Sequence, residues 1–197
     1  MRELSLHILD IAENGIRAGA DRVAIRVEES SAGDRLTLCV EDNGSGLPED
    51  KIARIDDPFV TTRTTRRVGL GLSLLAAASR RCEGDIRVES IRGKGTRITA
   101  AFRRSHIDRA PLGDVVATME ALVLGNPHID FCYTHRVDGE EFVMDTLDLK
   151  KELGGLSLSD PLVWRRIAEA MRRALGALAS GSAPSLPLED ADARTDP

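Results

Sequence analysis

The sequence predicts an α+β two-layer sandwich, a mixed sheet covered by helices on one face, with a small α/β module after it. Three observations carry this. The first hundred residues read as helix, strand, strand, loop, helix, strand, strand, an order that gives one layer of sheet under one layer of helices. Composition shifts after Phe102, where a polar linker precedes a second short set of elements. Finally, segments rich in Asp, Asn and Gly fall at element ends, where ligands meet a sheet.

The elements follow from local pattern. Over residues 3–18, Leu4, Ile8, Ile11 and Ala18 recur at helical spacing, and Asp10 and Asn14, four apart, share a face with Arg17 near them. Gly19 ends that helix where a left-handed cap is cheapest. Val23–Val27 and Arg35–Glu41 alternate as strands, and Asp42 follows at a strand's carboxyl end. Pro48 starts a short helix toward Ile52 and Ile55, and the threonine-rich stretch from Asp57 to Val68 reads as a mobile loop. Gly69–Ala78 gives a second long helix, and Asp85–Ser90 and Thr96–Phe102 are strands joined by the Gly93-Lys94-Gly95 turn.

Ser105–Gly113 is a linker and Asp114–Leu124 a helix. Ile129–Arg136 and Glu141–Asp145 flank Asp138-Gly139, a strong hairpin signal. A last helix runs from Pro161 to about Leu178, its start set by Asp160 before proline. The expected organisation is a first domain at 1–104, a small module at 105–179, and a tail at 180–197 with too little apolar surface to fold.

Bulk properties exclude several classes. A chain of 197 residues buries one full core and a small second module, not two large domains. A formal charge of −5 argues against broad nucleic-acid affinity, which rests on neutralising phosphates. Arg63, Arg66, Arg67, Arg80 and Arg81 form a local basic run suited either to phosphate or to solvent. Cys39, Cys82 and Cys132 lack metal or disulfide spacing, and Cys39, mid-strand, is expected as a small buried apolar residue. No long apolar run or signal segment is present, so the expected location is the cytoplasm, with no membrane partner.

Four segments in fixed order decide the functional reading: Asp10-Ile-Ala-Glu-Asn14, Asp42-Asn-Gly-Ser-Gly46, Gly69-Leu-Gly-Leu72 and Gly93-Lys-Gly-Thr96. Each alone is weak, since a DNG is usually a turn and a GLG often a helix start. Together they supply a helix bearing carboxylate and amide, a strand end bearing a carboxylate, a glycine-rich lid and a strand hydroxyl. That combination points to adenine nucleotide binding without a Walker P-loop.

These motifs resemble the GHKL superfamily, which includes DNA gyrase, the heat-shock chaperone, histidine kinases and MutL, over roughly the first hundred residues. Asp10–Asp21 is most similar to the MutL-type helix. Asp57–Leu75, reading DPF-x-TT-R and then GLGLS, looks more like histidine kinases, as does Gly84–Thr96. The resemblance implies the Bergerat ATP-binding fold, with ATP and Mg²⁺ as ligands. It implies that Asn14 holds Mg²⁺ through a neutral hard amide oxygen. Asp42 would accept from the adenine amine, with Thr96 beside it on the base edge. Gly44 and Gly46 would let the backbone approach the base, and Thr61, Thr62, Gly69, Leu70, Gly71 and Leu72 would form the lid, its helix start facing phosphate.

Asp10 carries the chemistry. Relatives that hydrolyse ATP place a Glu four residues before the Asn as the water-activating base; here the acid is one methylene shorter, which slows or redirects the reaction. The alternative for Asp10 is a salt bridge to Arg17. Met1 lies thirteen residues before Asn14, leaving no room for a phosphoacceptor helix, so the chain is not expected to be a complete sensor kinase. Leu122–Asp145 is similar to the opening of the MutL transducer domain, while Lys150 and Lys151 read as a solvated helix end. The linker is similar to that of small stand-alone ATP-binding proteins of anaerobic bacteria, which implies a protein partner related to hydrogenase or electron transfer. A homodimer is also open. Three readings stand: a slow ATPase switch, a protein kinase of the histidine-kinase or anti-sigma-factor type, and a non-hydrolysing ATP/ADP sensor.

Overall fold

The computed structural model describes residues 2–47 and 70–181. Six strands make one mixed sheet: β1 (Arg22–Ser30), β2 (Arg35–Asp42), β3 (Ile86–Ile91), β4 (Gly95–Arg103), β5 (Asp130–Val137) and β6 (Glu140–Asp145). Their order is β3-β4-β2-β1-β5-β6. Every pairing is antiparallel except β1 with β5, which run parallel.

Alternation along each strand makes two unlike faces. Val23, Ile25 and Val27 of β1 lie across from Val40, Leu38, Ile98 and Ala100 on one side, and from Phe131 and Tyr133 on the other. All are buried. The opposite face is polar, with Glu41 bridging Arg26 and Arg97. Cys39 belongs to that second face, opposite Arg26, and is only half-buried. It is not the core residue its mid-strand position suggested, because strand parity turns it away from the helices.

Five helices are described: α1 (Leu4–Arg17), α2 (Leu70–Arg81), α3 (Val115–Gly125), α4 (Thr146–Glu152) and α5 (Pro161–Ala179). The short α4, capped by Asp145 accepting from the Leu147 N–H at 2.9 Å, has no clear periodicity in the sequence. On it, Lys150 pairs with Asp130 and Lys151 with Asp148. Asp160 caps α5 as its place before Pro161 foretold, accepting from the Leu162 N–H.

The linker is ordered, and it explains how α1 starts. No side chain caps α1 at Glu3. Instead the Leu4 and Ser5 N–H groups donate to the carbonyls of Pro111 and Leu112 at 3.0 and 2.8 Å. Free helix donors are thus satisfied from 107 residues downstream, counting Leu4 to Pro111. The expected division near residue 104 falls at a turn tied to Asp34, and the hairpin beyond it hydrogen-bonds onto β1. Side chains from α1 and α2 and from α3 to α5 pack into one continuous core.

A second tie crosses the same junction. Glu29 of β1 meets His135 of β5 at 3.2 Å and accepts from Arg104 Nε at 3.0 Å, while the Tyr133 hydroxyl meets His135 Nδ1 at 3.0 Å. The His135 contact, reinforced by Arg104 against the opposing effect of burial, lowers the Glu29 pKa to about 2.

Candidate functional site

One end of the sheet collects the polar residues. Asp42, Thr96 and Ser90 stand in a row across β2, β4 and β3 on the helix-covered face. Asp42 Oδ1 accepts from the Gly44 N–H at 2.8 Å, an Asx-type turn that fixes the carboxylate and opens the loop after β2. Burial raises the Asp42 pKa above its ordinary value, Glu41 adds to this, and backbone hydrogen bonds from Gly44 and Thr96 oppose it. Thr96 is buried, its hydroxyl 2.9 Å from Ser90 Oγ, which also donates to the Gly95 carbonyl and accepts from the Leu47 N–H.

Asn43 does not face this pocket. Its Oδ1 accepts from the Asp21 and Arg22 N–H groups at 3.0 Å each, and its Nδ2 donates to Asp21, tying the loop to the start of β1. Gly44 is buried against Ala18, and Gly46, at φ +73, lies against the Ile91 carbonyl. Gly95 has φ +113, and a Cβ there would fall on the Asp42 carbonyl, so the turn before β4 closes on β2 only as glycine.

Helix α1 lies over this row. Leu4, Ile8, Ile11 and Ala12 seat it in the core, leaving Asp10 and Asn14 half-buried one turn apart at the rim. Gly15 sets how close the helix comes: a Cβ added there would stand 2.7 Å from Asp42 Cβ and 3.0 Å from Asp42 Oδ2. Arg17 Nη1 donates to Asn14 Oδ1 at 2.7 Å, and Arg17 Nη2 pairs with Glu13 at 2.8 Å. The alternative partner for Asp10 is therefore corrected, since the Arg17 guanidinium is taken by Glu13 and Asn14.

Asp10 meets the second helix instead. A Cβ on Gly71 would coincide with Asp10 Oδ2, so the carboxylate rests directly on the first turn of α2. His7, one turn earlier on α1, is buried, with a backbone hydrogen bond to Gly71 and an Nδ1 that has no partner. Burial is the largest cause holding the His7 pKa below its ordinary value, while Asp10 pulls it upward. Leu72 is buried in the core beneath this contact.

The structure thus gathers Asp10, Asn14, Asp42, Gly44, Gly46, Gly71, Leu72 and Thr96 around the α1–β2–α2 junction. Thr61, Thr62, Gly69 and the Leu70 side chain lie outside the described residues, as do the short helix expected after Pro48 and the threonine-rich loop. Gly15 and Ser90 escaped the sequence reading. Gly15 had a signal, because glycine inside a helix weakens it by about 1 kcal/mol unless a close contact requires it. Ser90 had none.

The donor set bears on magnesium. Among the described residues no group of three or more His, Cys, Asp or Glu could hold a metal ion. Asn14 Oδ1 keeps a lone pair beyond its Arg17 bond. Such a site fits an ion that brings most of its ligands with it, as a phosphate-bound Mg²⁺ does.

The family described as histidine kinase-, DNA gyrase B-, and HSP90-like ATPase matches residues 2–106. The chain belongs to this family. The mixed sheet with helices on one face is the Bergerat fold of this family's ATP-binding domain. Among similar proteins, sporulation kinase C of Bacillus subtilis (strain 168) is 28% identical over 94 residues, which is 48% of this chain and 22% of that protein. Signal transduction histidine-protein kinase AtoS of Escherichia coli (strain K12) is 36% identical over 93 residues, 47% of this chain and 15% of the kinase. The chain thus spans about a fifth or less of these relatives. A solved N-terminal domain of a DNA repair protein has the same fold, with a TM-score of 0.51 at 13% identity, covering 74% of this chain and 53% of that one. Among the described residues no helix is long and apolar enough to cross a membrane.

Proposed function

We propose that this protein binds Mg-ATP at the α1–β2–α2 junction and hydrolyses it slowly, as a nucleotide-driven switch. One observation carries the reading: Asp10 lies one turn from Asn14 on α1, with its carboxylate on the first turn of the glycine-rich helix. In this reading Asp42 accepts from the adenine amine, and Thr96, held by Ser90, completes the base edge. Asn14, oriented by Arg17, holds the metal, which supplies charge neutralisation to the phosphates. Asp10 takes the proton from the attacking water, a task requiring hydrogen-bond reach of both water and phosphate.

The switch reading rests on the way α1 is anchored. The helix bearing Asp10 and Asn14 begins on carbonyls of the linker and packs on α3, so a shift of α1 reaches the last third of the chain.

A second reading, a protein kinase, is favoured by the kinases among the relatives. Incubation with γ-labelled Mg-ATP, alone and with cell lysate, separates the two. Free phosphate from the purified chain supports the ATPase. Label on another protein supports the kinase. Neither, with ATP bound, leaves a sensor.

A further inference from the structure

Helix α5 carries an unusual charge pattern. Trp164, Ile167, Ala168, Ala170, Met171, Ala174 and Leu178 face inward and are buried. Arg165, Arg166, Glu169, Arg172 and Arg173 are all exposed. At 100° per residue these five, together with Leu162, fall within roughly 120° of one another on the outer side. The stripe from Arg165 to Arg173 is about 12 Å long at 1.5 Å per residue.

Among the described residues nothing answers these arginines. Arg22, Arg26, Arg97, Arg103, Arg104 and Arg136 each meet a carboxylate of another strand or turn. The four on α5 have no ion pair or hydrogen bond among the described residues, and neither has Glu169. Were Glu169 to pair along the helix with Arg165 or Arg173, three positive charges would still stand together. They do so on a chain whose net charge is −5. At the head of the stripe Leu162 is 63% exposed, a large apolar side chain on the same face.

We propose that this face of α5, from Leu162 to Arg173, docks an acidic segment of a partner protein that also presents an apolar residue to Leu162. Charge complementarity selects the partner. Four unanswered guanidiniums in two pairs, about two helical turns apart, match carboxylates on an extended or helical segment, and Arg binds carboxylate bidentately.

The pattern argues against other occupants. A second copy pairing α5 with α5 about a two-fold at Glu169 would set Arg165 and Arg166 against Arg172 and Arg173, like charge on like. A lipid surface would need the apolar face of α5, which is spent on the core. A nucleic acid would leave Leu162 without a role and would be opposed by the acidic remainder of the chain.

The test uses the full chain without nucleotide, so that it stands or falls apart from the ATPase reading. A fluorescein-labelled Glu/Asp-rich peptide bearing one leucine is titrated by anisotropy against the wild type. The variants are Arg165→Glu/Arg172→Glu, Arg166→Glu/Arg173→Glu and Leu162→Ala. The expected result is saturable binding that each double variant weakens by at least about tenfold and Leu162→Ala by about threefold or more. Circular dichroism should be unchanged, because these side chains are exposed. Absence of binding to the folded wild type overturns the proposal, and so does binding indifferent to the arginines. Tighter arginine-dependent binding to phosphatidylserine vesicles or duplex DNA than to the peptide overturns it as well.

Discussion

Gly15→Ala tests how α1 positions the pocket, because it adds one methyl group where helix and strand meet. That methyl would stand 2.7 Å from Asp42 Cβ, 2.9 Å from Cγ and 3.0 Å from Oδ2. Carbon atoms rest at about 3.5–4.0 Å, so α1 and β2 must separate by about 0.8 Å or more. Alanine strengthens the helix itself by about 1 kcal/mol, and overpacking costs about 1–3 kcal/mol. The two nearly offset, so folding should weaken by no more than about 2 kcal/mol. At about 2–4 °C per kcal/mol for a chain of this size, the protein stays folded at 25 °C.

Binding should suffer more than folding. A hydrogen bond to the adenine amine works only within a few tenths of an ångström, and displacing Asp42 by most of an ångström forfeits it. Losing a buried charge-assisted bond is worth about 1.5–3 kcal/mol, or roughly tenfold to 150-fold in affinity. Titration calorimetry with Mg-ATP and with adenosine reads this directly. Both ligands should weaken in the same proportion, since the lost contact is to the base. Asn14→Ala, by contrast, should weaken ATP more than adenosine. A Gly15→Ala protein that binds ATP within twofold of wild type would refute the reasoning that this contact places Asp42.

Asp42→Asn presents a donor to the adenine amine and should weaken ATP by about 1.5–3 kcal/mol in the same calorimeter; unchanged affinity would make Asp42 a turn residue only. Asp10→Asn should keep ATP affinity and lower phosphate release by about 10²–10⁴-fold, while Asp10→Glu keeps or raises it by restoring reach. Turnover unchanged by Asp10→Asn would remove the general-base role. Glu29, with its pKa depressed to about 2, contributes stability that is complete above about pH 4.5 and is lost as the pH falls toward 2. Urea denaturation should give an unfolding free energy that is lower at pH 3 than at pH 7 by up to about 2 kcal/mol in the wild type, and Glu29→Gln should reduce that difference; an equal acid loss in the variant would place it elsewhere.

Much of this protein was legible in one dimension because its signals are local. Helical spacing marked α1, alternation marked β1 and β2, and Asp138-Gly139 and Asp160-Pro161 marked a turn and a helix start from a few residues each. The candidate residues were legible for a different reason, since Asp10, Asn14, Asp42 and Gly71 sit in motifs whose order matches a family. What the sequence left open depends on contacts between distant residues. That β5 runs parallel beside β1, joining the last third of the chain to the strands of the first hundred residues, follows from which edge was free and which apolar faces needed cover. Cys39 turned outward through strand parity, and Arg17 turned to Glu13 and Asn14 because they lie within its reach along the helix. Gly15 and His7 acquire meaning only when Asp42 and Gly71 arrive beside them. Close packing decides such contacts to fractions of an ångström, and one-dimensional spacing carries no record of that distance.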